Sequence, residues 1–534
     1  MPNILDSVIS YLSPSLGAER ARNRMQEAMM SGFGSESSGY ITAGSPKRSM
    51  RSWFTRRLSP DSDHLPKQLS QIASSRDLWM NTPIAGAILK RVLSHTVGFG
   101  LFPQSRVERE TLGLSDEEAD AWERKTEALW RIYAESKDVD LTRQQNFYQL
   151  QSLVYFSKLL SGDVFFTLPW VQAEGFPFET RIRVIEADLC SNPNAEPNTI
   201  DLAGGVEVDK FGAPTAYWFS TNYGGADILG YTDDYKWVRI PAFDAASGRR
   251  NVYHVFDRER PGQRRGIPFL AACVETLKQI TRLSEVKLLQ NIIQSTYTVF
   301  IKDQKGMAQM GESFGAGTSI LEENEPDREN LYELGAASIV ELDEGKEIQI
   351  ADPQRTDLGF AEFFASLVKQ LSARCEVPFD VLMLHFQASY SATRGELLEL
   401  YKKAQAWRKD LVADFCQPVY EAWLYEMVAK GQIEAPGFLE DPIKRALWSR
   451  TKWGGQGMGQ IDPKKETEGA LMRIQGHLSN HEDEYTAIHG GDWENSLKRE
   501  SRERKLIEEY IPKPEPTNRA GPQDSGDDEE TDDE

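Results

Sequence analysis

Cysteine is scarce in this chain of 534 residues, and no two cysteines form a CxxC pair. The four present are Cys190, Cys273, Cys375 and Cys416. Their wide spacing in the sequence excludes a disulfide framework and a typical zinc site. We therefore expect four buried free thiols, as in proteins of a reducing compartment.

Long apolar runs are also missing. No stretch approaches the roughly 20 apolar residues that a membrane-spanning helix needs. The first residues lack the charged-then-apolar pattern of a signal peptide. The sequence therefore predicts neither membrane insertion nor secretion. Hydrophobic residues still make up 40% of the chain, with 12 Trp and 24 Phe, which is enough to build substantial cores.

Signatures of common enzymes are absent from the sequence. It contains no GxxxxGK[ST], HExxH or GxSxG motif, which excludes the usual P-loop, zincin and α/β-hydrolase sites. One catalytic alternative remains, a Mg²⁺-dependent nuclease in which Asp327 and Glu344 hold the metal and Lys346 orients the water. Such a site needs Glu344 and Lys346 on a strand, whereas the pattern places them at a hairpin tip. We predict no cofactor and no metal.

Basic residues are too few for an ordinary DNA-binding protein. The chain has 61 Lys and Arg against 82 Asp and Glu, a net charge of −21. Eight of the acids follow Ala520 without a base, so the rest of the chain carries −21 + 8 = −13. DNA-binding domains are usually basic because they neutralise phosphates. The charge suits a channel through which DNA slides, and equally an acidic scaffold with no role in DNA handling.

The first half of the chain predicts mixed helix and strand. Apolar periodicity indicates helices over Leu65–Gly98 and around 147–160. Another helix starts at Ser115, where Glu118 completes a capping box. Residues 163–256 show short alternating runs broken by Gly, Pro and Asn, which is typical of β-strands.

The middle of the chain predicts long helices. Pro268 suits the first turn of a helix that runs to about Ser295. A second helix is expected over Thr356–Ala373. A third restarts after a polar loop, with Thr393 and Glu396 as its capping box, and Pro418 is expected to kink it.

The end of the chain predicts three helices and a charged tail. Asp462-Pro463 gives an N-cap followed by proline at the first helical position. Ser479 and Glu482 suggest a second capping box, and a third helix is expected over about 493–510. The acidic residues after Ala520 are predicted to be disordered.

The first 64 residues predict an irregular arm. It contains a Gly/Ser-rich stretch followed by five basic residues, Lys47, Arg48, Arg51, Arg56 and Arg57. Such an arm would touch nucleic acid or a neighbouring subunit, or it is a solvated linker. The residues leave both interpretations open.

The most informative segment is Phe386–Glu399, whose sequence contains Ser-Tyr-Ser-Ala-Thr-Arg-Gly-Glu-Leu-Leu-Glu, preceded by Val377-Pro378. Similar motifs occur at Arg76–Ala85, Gly205–Tyr217, His254–Pro268 and Ile461–Glu466. Together, and in this order, they resemble the lambda-type family of tailed-phage portal proteins.

This resemblance implies an α+β subunit with a β-rich wing, a two-helix stem, a small α/β clip and a helical C-terminal crown. It also implies a dodecameric ring around a DNA channel. The expected divisions are an N-terminal arm (1–64), wing (65–266), stem helix 1 (267–299), clip (300–352), stem helix 2 (353–378), tunnel loop (379–393), a wing helix (394–440), crown (441–511) and acidic tail (512–534).

The resemblance also implies which side chains would face passing DNA. They lie on stem helix 1 and in or beside the tunnel loop. The candidates are Lys278, Arg282, Lys287, His385, Gln387, Ser389, Tyr390, Ser391 and Arg394. For the three basic residues of the stem helix, the alternative is pairing with Glu275 and Glu285 on their own or neighbouring helices.

The implied partners follow from the same resemblance. They are other copies of the chain, double-stranded DNA read without sequence preference, the terminase large subunit, the major capsid or scaffold protein, and head-completion or tail adaptor proteins. The clip candidates for terminase and adaptor contact are Met307, Met310, Glu312, Phe314, Glu322 and Glu323. The expected location is the portal vertex of the virion, after assembly in the host cytoplasm.

Overall fold

The structure is a computed structural model of the whole chain. It describes residues 55–172, 174–221, 236–295, 299–303, 346–350, 359–387, 389–457, 459, 462–491 and 493–510. Of these, residues 293–295, 299–303 and 346–350 are described by their backbone alone. The chain divides into two compact units, 1–62 and 63–534. Most of the predicted basic arm lies outside the described residues.

Helices make up most of the described chain, and none of them combines the length and apolar composition that crossing a membrane requires. They are α1 (Pro60–His64), α2 (Gln68–Asn81), α3 (Pro83–Thr96), α4 (Arg109–Leu112), α5 (Asp116–Glu135), α6 (Phe147–Ser161), α7 (Val274–Ser295), α8 (Phe360–Cys375), α9 (Phe379–Met383), α10 (Tyr390–Leu411), α11 (Gln417–Ala429), α12 (Pro442–Trp448), α13 (Pro463–Gln475), α14 (His481–His489) and α15 (Trp493–Tyr510).

The strands form four antiparallel groups, β1–β11, β3–β2–β8, β4–β5–β6–β7 and β9–β10. They are β1 (Phe102–Ser105), β2 (Asp163–Thr167), β3 (Arg183–Glu186), β4 (Leu202–Ala203), β5 (Val206–Val208), β6 (Pro214–Ser220), β7 (Trp237–Pro241), β8 (Tyr253–Phe256), β9 (Val299–Asp303), β10 (Lys346–Ile350) and β11 (Thr451–Gly454). The predicted α+β class is confirmed. Strands β2 to β8 lie within the predicted β-rich residues 163–256, whereas β11 was not predicted.

Some local signals place helix ends correctly. The capping box of Ser115 and Glu118 starts α5 as predicted. Asp462 caps α13 by accepting a hydrogen bond from the Lys465 backbone N–H. The predicted helix over Leu65–Gly98 is interrupted, however. Thr82 is extended because it precedes Pro83, and proline disfavours helical backbone at the preceding residue.

The largest core contains a cluster of aromatic rings around Trp130 of α5. The Trp130 ring centroid lies 5.0 Å from that of Phe147, 5.3 Å from that of Tyr420 and 5.2 Å from that of Trp423. Trp453 of β11 is the fourth neighbour, at 6.2 Å. Most of these contacts are edge-to-face, the arrangement that the ring quadrupoles favour. The cluster joins α5, α6, α11 and β11.

A buried ion pair connects the β-rich region to the segment that leads into α7. Asp163 of β2 accepts hydrogen bonds from Arg265 Nε (2.5 Å), His254 Nε2 (3.1 Å) and the Gly266 backbone N–H (3.1 Å). The remaining N–H groups of Arg265 reach backbone carbonyls, including that of Ala187 at 2.8 Å. Burial opposes ionisation, but the neighbouring Arg265 and His254 hold the pKa of Asp163 well below its usual value.

The first stem helix begins later than predicted. The backbone N–H of Phe269 donates to Leu159 O at 2.9 Å, which ties this segment to the end of α6. Ala271–Cys273 form a 3-10 turn, and α7 begins only at Val274. The prediction that the helix opens at Pro268 was therefore wrong, because these residues are held by tertiary hydrogen bonds.

The long helix after the tunnel loop begins earlier than predicted. Ser389 is its N-cap, and its side chain accepts a hydrogen bond from the Ala392 N–H. The predicted capping box of Thr393 and Glu396 is wrong, since both residues lie inside α10. A π-helical turn, Val412–Cys416, separates α10 from α11 just before Pro418, where a kink was predicted.

The C-terminal helices follow the predicted pattern, with one wrong cap. Helices α13, α14 and α15 cover the three predicted segments. The N-cap of α14 is Asn480, whose side chain accepts a hydrogen bond from the Asp483 N–H at 2.8 Å. The predicted box of Ser479 and Glu482 is one residue early, because asparagine caps a helix as well as serine does.

Candidate channel surface

Lys278 on α7 is engaged with a neighbouring helix. Its Nζ lies 2.7 Å from Oδ2 of Asp77 on α2. Hydrogen bonds from Lys278 and Asn81 lower the pKa of Asp77. The alternative prediction that Lys278 is ion-paired is correct, but its partner is Asp77 and not Glu275 or Glu285. The signal for Asp77 was absent from the sequence around Lys278, because the contact joins helices about 200 residues apart.

The other two basic residues of α7 differ from each other. Arg282 is exposed and has no ion-pair partner among the residues that the structure describes. Lys287 is half-buried and its side chain is engaged. Arg282 is thus the cation of this helix most accessible to a ligand.

The second half of α7 exposes a broad apolar face. The side chains of Val286, Leu288, Leu289 and Ile292 are 56%, 62%, 56% and 51% exposed. The first half of the helix instead buries Leu277. An apolar face of this extent on a protein surface marks a site of interaction.

The loop between α8 and α10 is shaped by two left-handed turns at residues other than glycine. Glu376 has φ 54° and Leu384 has φ 53°, values that are uncommon for side chains with a Cβ. The first turn ends α8 and the second ends the short helix α9. The segment predicted as one polar loop therefore contains the short helix α9.

The N-terminal side of this loop is anchored in the core. Val377, Val381 and Leu382 are buried in the main core. Glu376 Oε2 lies 2.7 Å from Lys403 Nζ on α10. These contacts hold the N-terminal side of the loop against the main core and α10.

The tip of the loop combines polar and apolar side chains that face solvent. His385, Gln387 and Ser389 are exposed. Leu384 and Phe386 are 60% and 51% exposed. The sequence analysis did not identify these two apolar residues as part of the surface. The only indication of their exposure was their position between the buried helix α9 and the N-cap residue of α10.

The start of α10 is held against α13. Tyr390 and Ser391 are exposed residues of the first helical turn. Arg394 Nη1 lies 3.0 Å from Glu466 Oε1, and the Lys465 Nζ lies 5.5 Å from the ring centroid of Tyr390. Arg394 is therefore partly shielded and ion-paired, in contrast to its predicted role as an open channel cation.

The remaining predicted site residues cannot be placed. All six clip candidates, and Asp327 and Glu344 of the nuclease alternative, lie outside the described residues. Lys346 is described by its backbone alone, as the first residue of β10. Within the described residues, no group of three His, Cys, Asp or Glu side chains is placed to hold a metal ion.

Similarity to solved structures is distant. The neck of a native gene transfer agent particle, with C12 symmetry, gives a TM-score of 0.38 at 14% identity, covering 72% of this chain and 94% of the other. A virion of the native particle gives the same TM-score of 0.38 at 13% identity, covering 72% and 93%.

Similarity to known sequences is more extensive. Portal protein B of Escherichia phage lambda is 26% identical over 487 residues, covering 88% of this chain and 90% of the relative. The portal protein of Escherichia phage N15 is 25% identical over 472 residues, covering 85% and 87%. A probable portal protein of Halomonas phage phiHAP-1 is 23% identical over 442 residues, covering 79% and 78%.

The family comparison decides between the alternatives left by the sequence. Residues 46–408 match the family described as phage portal protein, lambda family, which is well over half of the chain. Portal proteins are structural proteins rather than enzymes, and the nuclease alternative receives no support from these relatives. The chain belongs to the lambda family of phage portal proteins.

Proposed function

We propose that twelve copies of the protein form a ring at one vertex of a phage capsid, around a channel for genome packaging and ejection. Membership in the portal family is the observation that carries this proposal. The exposed apolar face of α7 adds physical support, because in a ring a neighbouring copy would cover it. Burial of such a face removes apolar surface from water and favours association.

Double-stranded DNA would pass the exposed tip of the loop between α8 and α10. His385, Gln387 and Ser389 would contact it without reading its sequence, together with Arg282 of α7. Tyr390 and Ser391 would border this surface. Lys278, Lys287 and Arg394 are weaker candidates, since the side chain of each is already engaged.

The electrostatics of the chain fit transient contact with DNA. Each copy carries a net charge of −21, and a wall of this sign repels phosphate. A few exposed cations such as Arg282 would give local attraction without tight binding. DNA could then slide, because a surface with many phosphate contacts would hold it in place.

The docking surfaces belong to this proposal as well. Residues 300–352, between the two stem helices, would face the terminase large subunit during packaging and head-completion or tail adaptors afterwards. The β-rich region would face the major capsid or scaffold protein. Assembly would take place in the host cytoplasm before the ring enters the virion.

Negative-stain electron microscopy of the purified full chain, with mass photometry, tests the ring. We expect rings with a central hole and a mass near twelve times 60.4 kDa. A different closed ring would change the subunit number only. A uniform monomer or dimer at micromolar concentration would contradict the proposal and favour an acidic scaffold without a channel.

A further inference from the structure

Two of the four cysteines lie side by side. Cys273 ends the 3-10 turn before α7, and Cys375 is the last residue of α8. They are 102 residues apart in the sequence, yet their sulfur atoms are 3.9 Å apart. Each of the two residues is 1% exposed and lies in the main core. The sequence predicted four free buried thiols, which is confirmed, but it did not indicate that two of them meet.

The distance between the sulfur atoms is short enough for chemistry. A disulfide has a bond of about 2.05 Å, so closing the gap requires the sulfur atoms to approach by about 1.9 Å. Helices α7 and α8 already contact each other, and both Leu277 of α7 and Leu371 of α8 lie in the main core. Small side-chain rotations at the two cysteines could supply this approach without moving the helices apart.

The four thiols have different environments. A hydrogen bond from Cys375, aided by the nearby Arg374, lowers the pKa of Cys273. Burial raises the pKa of Cys190 to about 12 and raises the pKa of Cys416 well above its usual value. The thiolate is the reactive form of cysteine, so the contact with Cys375 favours Cys273 over Cys190 and Cys416 as the attacking thiol.

A cavity lies beside one member of the pair, Cys375, whose sulfur atom contacts that of Cys273. A cavity of about 540 Å³ borders Cys375 and is also lined by Ala272, Arg374 and Trp407. The cavity is far larger than hydrogen peroxide, whereas a bulky thiol reagent would be hindered at the nearly buried sulfur atoms. Reaction with small oxidants is therefore expected to be faster than reaction with large ones.

We propose that Cys273 and Cys375 form an oxidation site, at which a peroxide converts the two thiols into a disulfide between the base of α7 and the end of α8. Neither the family match nor the named relatives assign such a site. The proposal stands on the position of the two sulfur atoms and the cavity beside them.

The reaction balances with hydrogen peroxide as the oxidant. The Cys273 thiolate attacks one peroxide oxygen, the O–O bond breaks, and hydroxide leaves to take up the released thiol proton as water. Cys375 then attacks the sulfenic sulfur, the S–O bond breaks, and a second water leaves. In sum, two thiols and one peroxide give one disulfide and two waters, with two electrons passing from sulfur to oxygen.

The cross-link would close the chain segment between the two stem helices. That segment includes residues 300–352, so oxidation would tie its two stem helices together at their base. If the protein is a virion component, which rests on the proposed function, the thiols stay reduced during assembly and oxidise in the released particle. The oxidised stem would then resist separation of α7 from α8.

The test treats the purified full chain with hydrogen peroxide, then alkylates the remaining thiols under denaturing conditions. We expect alkylated cysteines to fall from four to two, with mass spectrometry identifying a disulfide between peptides containing Cys273 and Cys375. Reduction should restore all four. Four free thiols after treatment, or oxidation confined to Cys190 or Cys416, would overturn the proposal.

Matched variants separate the pair from the other cysteines. Neither Cys273→Ala nor Cys375→Ala should form a disulfide after peroxide, whereas Cys416→Ala should still form it and leave only one alkylated thiol. The oxidised wild type should also melt a few degrees above the reduced form, and Cys375→Ala should show no such difference. Peptide mapping of the wild type does not depend on the folding of any variant. The readout needs no ring, so failure of the ring and failure of the disulfide are distinguishable.

Discussion

The buried carboxylate of Asp163 is expected to contribute strongly to the stability of the folded chain. We expect Asp163→Asn to lower the free energy of unfolding by about 3–5 kcal/mol, because Arg265 would remain buried without a counter-ion. Since the folded pKa of Asp163 lies below its unfolded value, its contribution is present above pH 4, roughly, and is lost as pH falls through the folded pKa. Chemical denaturation at pH 7 measures the change.

The control for this variant is an exposed acid. Asp116 pairs with Arg109 at 3.0 Å, and its side chain is 87% exposed. Asp116→Asn should change the free energy of unfolding by less than about 0.5 kcal/mol. Equal losses in the two variants would show that burial of Asp163 has no special role.

Asp414 should have the opposite pH dependence. Burial, with Asp410 and Asp257 nearby, raises its pKa from 3.8 to about 6, although Lys158 and Arg250 oppose the shift. The folded state therefore holds the proton more tightly, and its stability falls as pH rises from about 4 to about 6. Asp414→Asn should raise the free energy of unfolding by about 1–2 kcal/mol at pH 7.5.

A pH series distinguishes this effect from a general change in packing. Near pH 3, below the ordinary pKa of 3.8, the wild-type carboxyl is largely protonated in both states, so Asp414→Asn and wild type should have nearly equal stability there. A constant difference between the two proteins from pH 4 to pH 8 would mean that the carboxyl does not titrate as argued.

The start of α10 offers a test at the level of a helix. Ser389→Ala should cost about 1 kcal/mol, because the Ala392 N–H loses its side-chain partner. Thr393→Ala is the matched control and should change stability by less than about 0.5 kcal/mol, since Thr393 lies within the helix. Thermal unfolding and hydrogen exchange of the first-turn amides would measure both. A larger loss for Thr393→Ala would restore the cap inferred from the sequence.

Helix ends show what a local pattern can and cannot predict. Asp462 was identified correctly because its cap and the following proline are adjacent in the sequence. Ser389 and Thr393 both have the right chemistry, and only the surrounding fold selects between them. Pro268 also suits a helix start, but the hydrogen bond from Phe269 to Leu159 delays the helix. Local chemistry gives candidate ends, and distant contacts choose one.

Contacts across the chain were beyond sequence reasoning at the candidate site. The pairing of Lys278 with Asp77 and that of Arg394 with Glu466 join different helices. The meeting of Cys273 with Cys375 is of the same kind. The exposed loop was predictable because its residues are contiguous and its family motif is strong. The sequence did not show whether Lys278 and Arg394 would be free of ion pairs.

Assembly of the whole molecule should depend on the second half of α7. Changing Val286 and Leu289 together to Glu should weaken subunit association by at least about 100-fold, because each apolar side chain contributes roughly 1.5–3 kcal/mol when buried. The expected result is loss of rings in mass photometry, with the subunit itself still folded by circular dichroism.

A control on the same helix makes this test specific. Gln279→Glu adds a negative charge at an exposed position in the first half of α7 and should leave ring formation unchanged. Rings formed by the Val286 and Leu289 double variant at the wild-type protein concentration would show that subunits meet through another surface.

The aromatic cluster around Trp130 gives an optical signal that shows whether the tertiary packing of the subunit has formed. Its three indole rings come from α5, α11 and β11, which the chain supplies far apart in the sequence. Close rings fixed in an asymmetric arrangement give strong near-ultraviolet circular dichroism, and this signal disappears when packing is lost even if helices persist. A near-ultraviolet circular dichroism spectrum therefore distinguishes a chain in which only the helices have formed from one in which α5, α11 and β11 have also packed together.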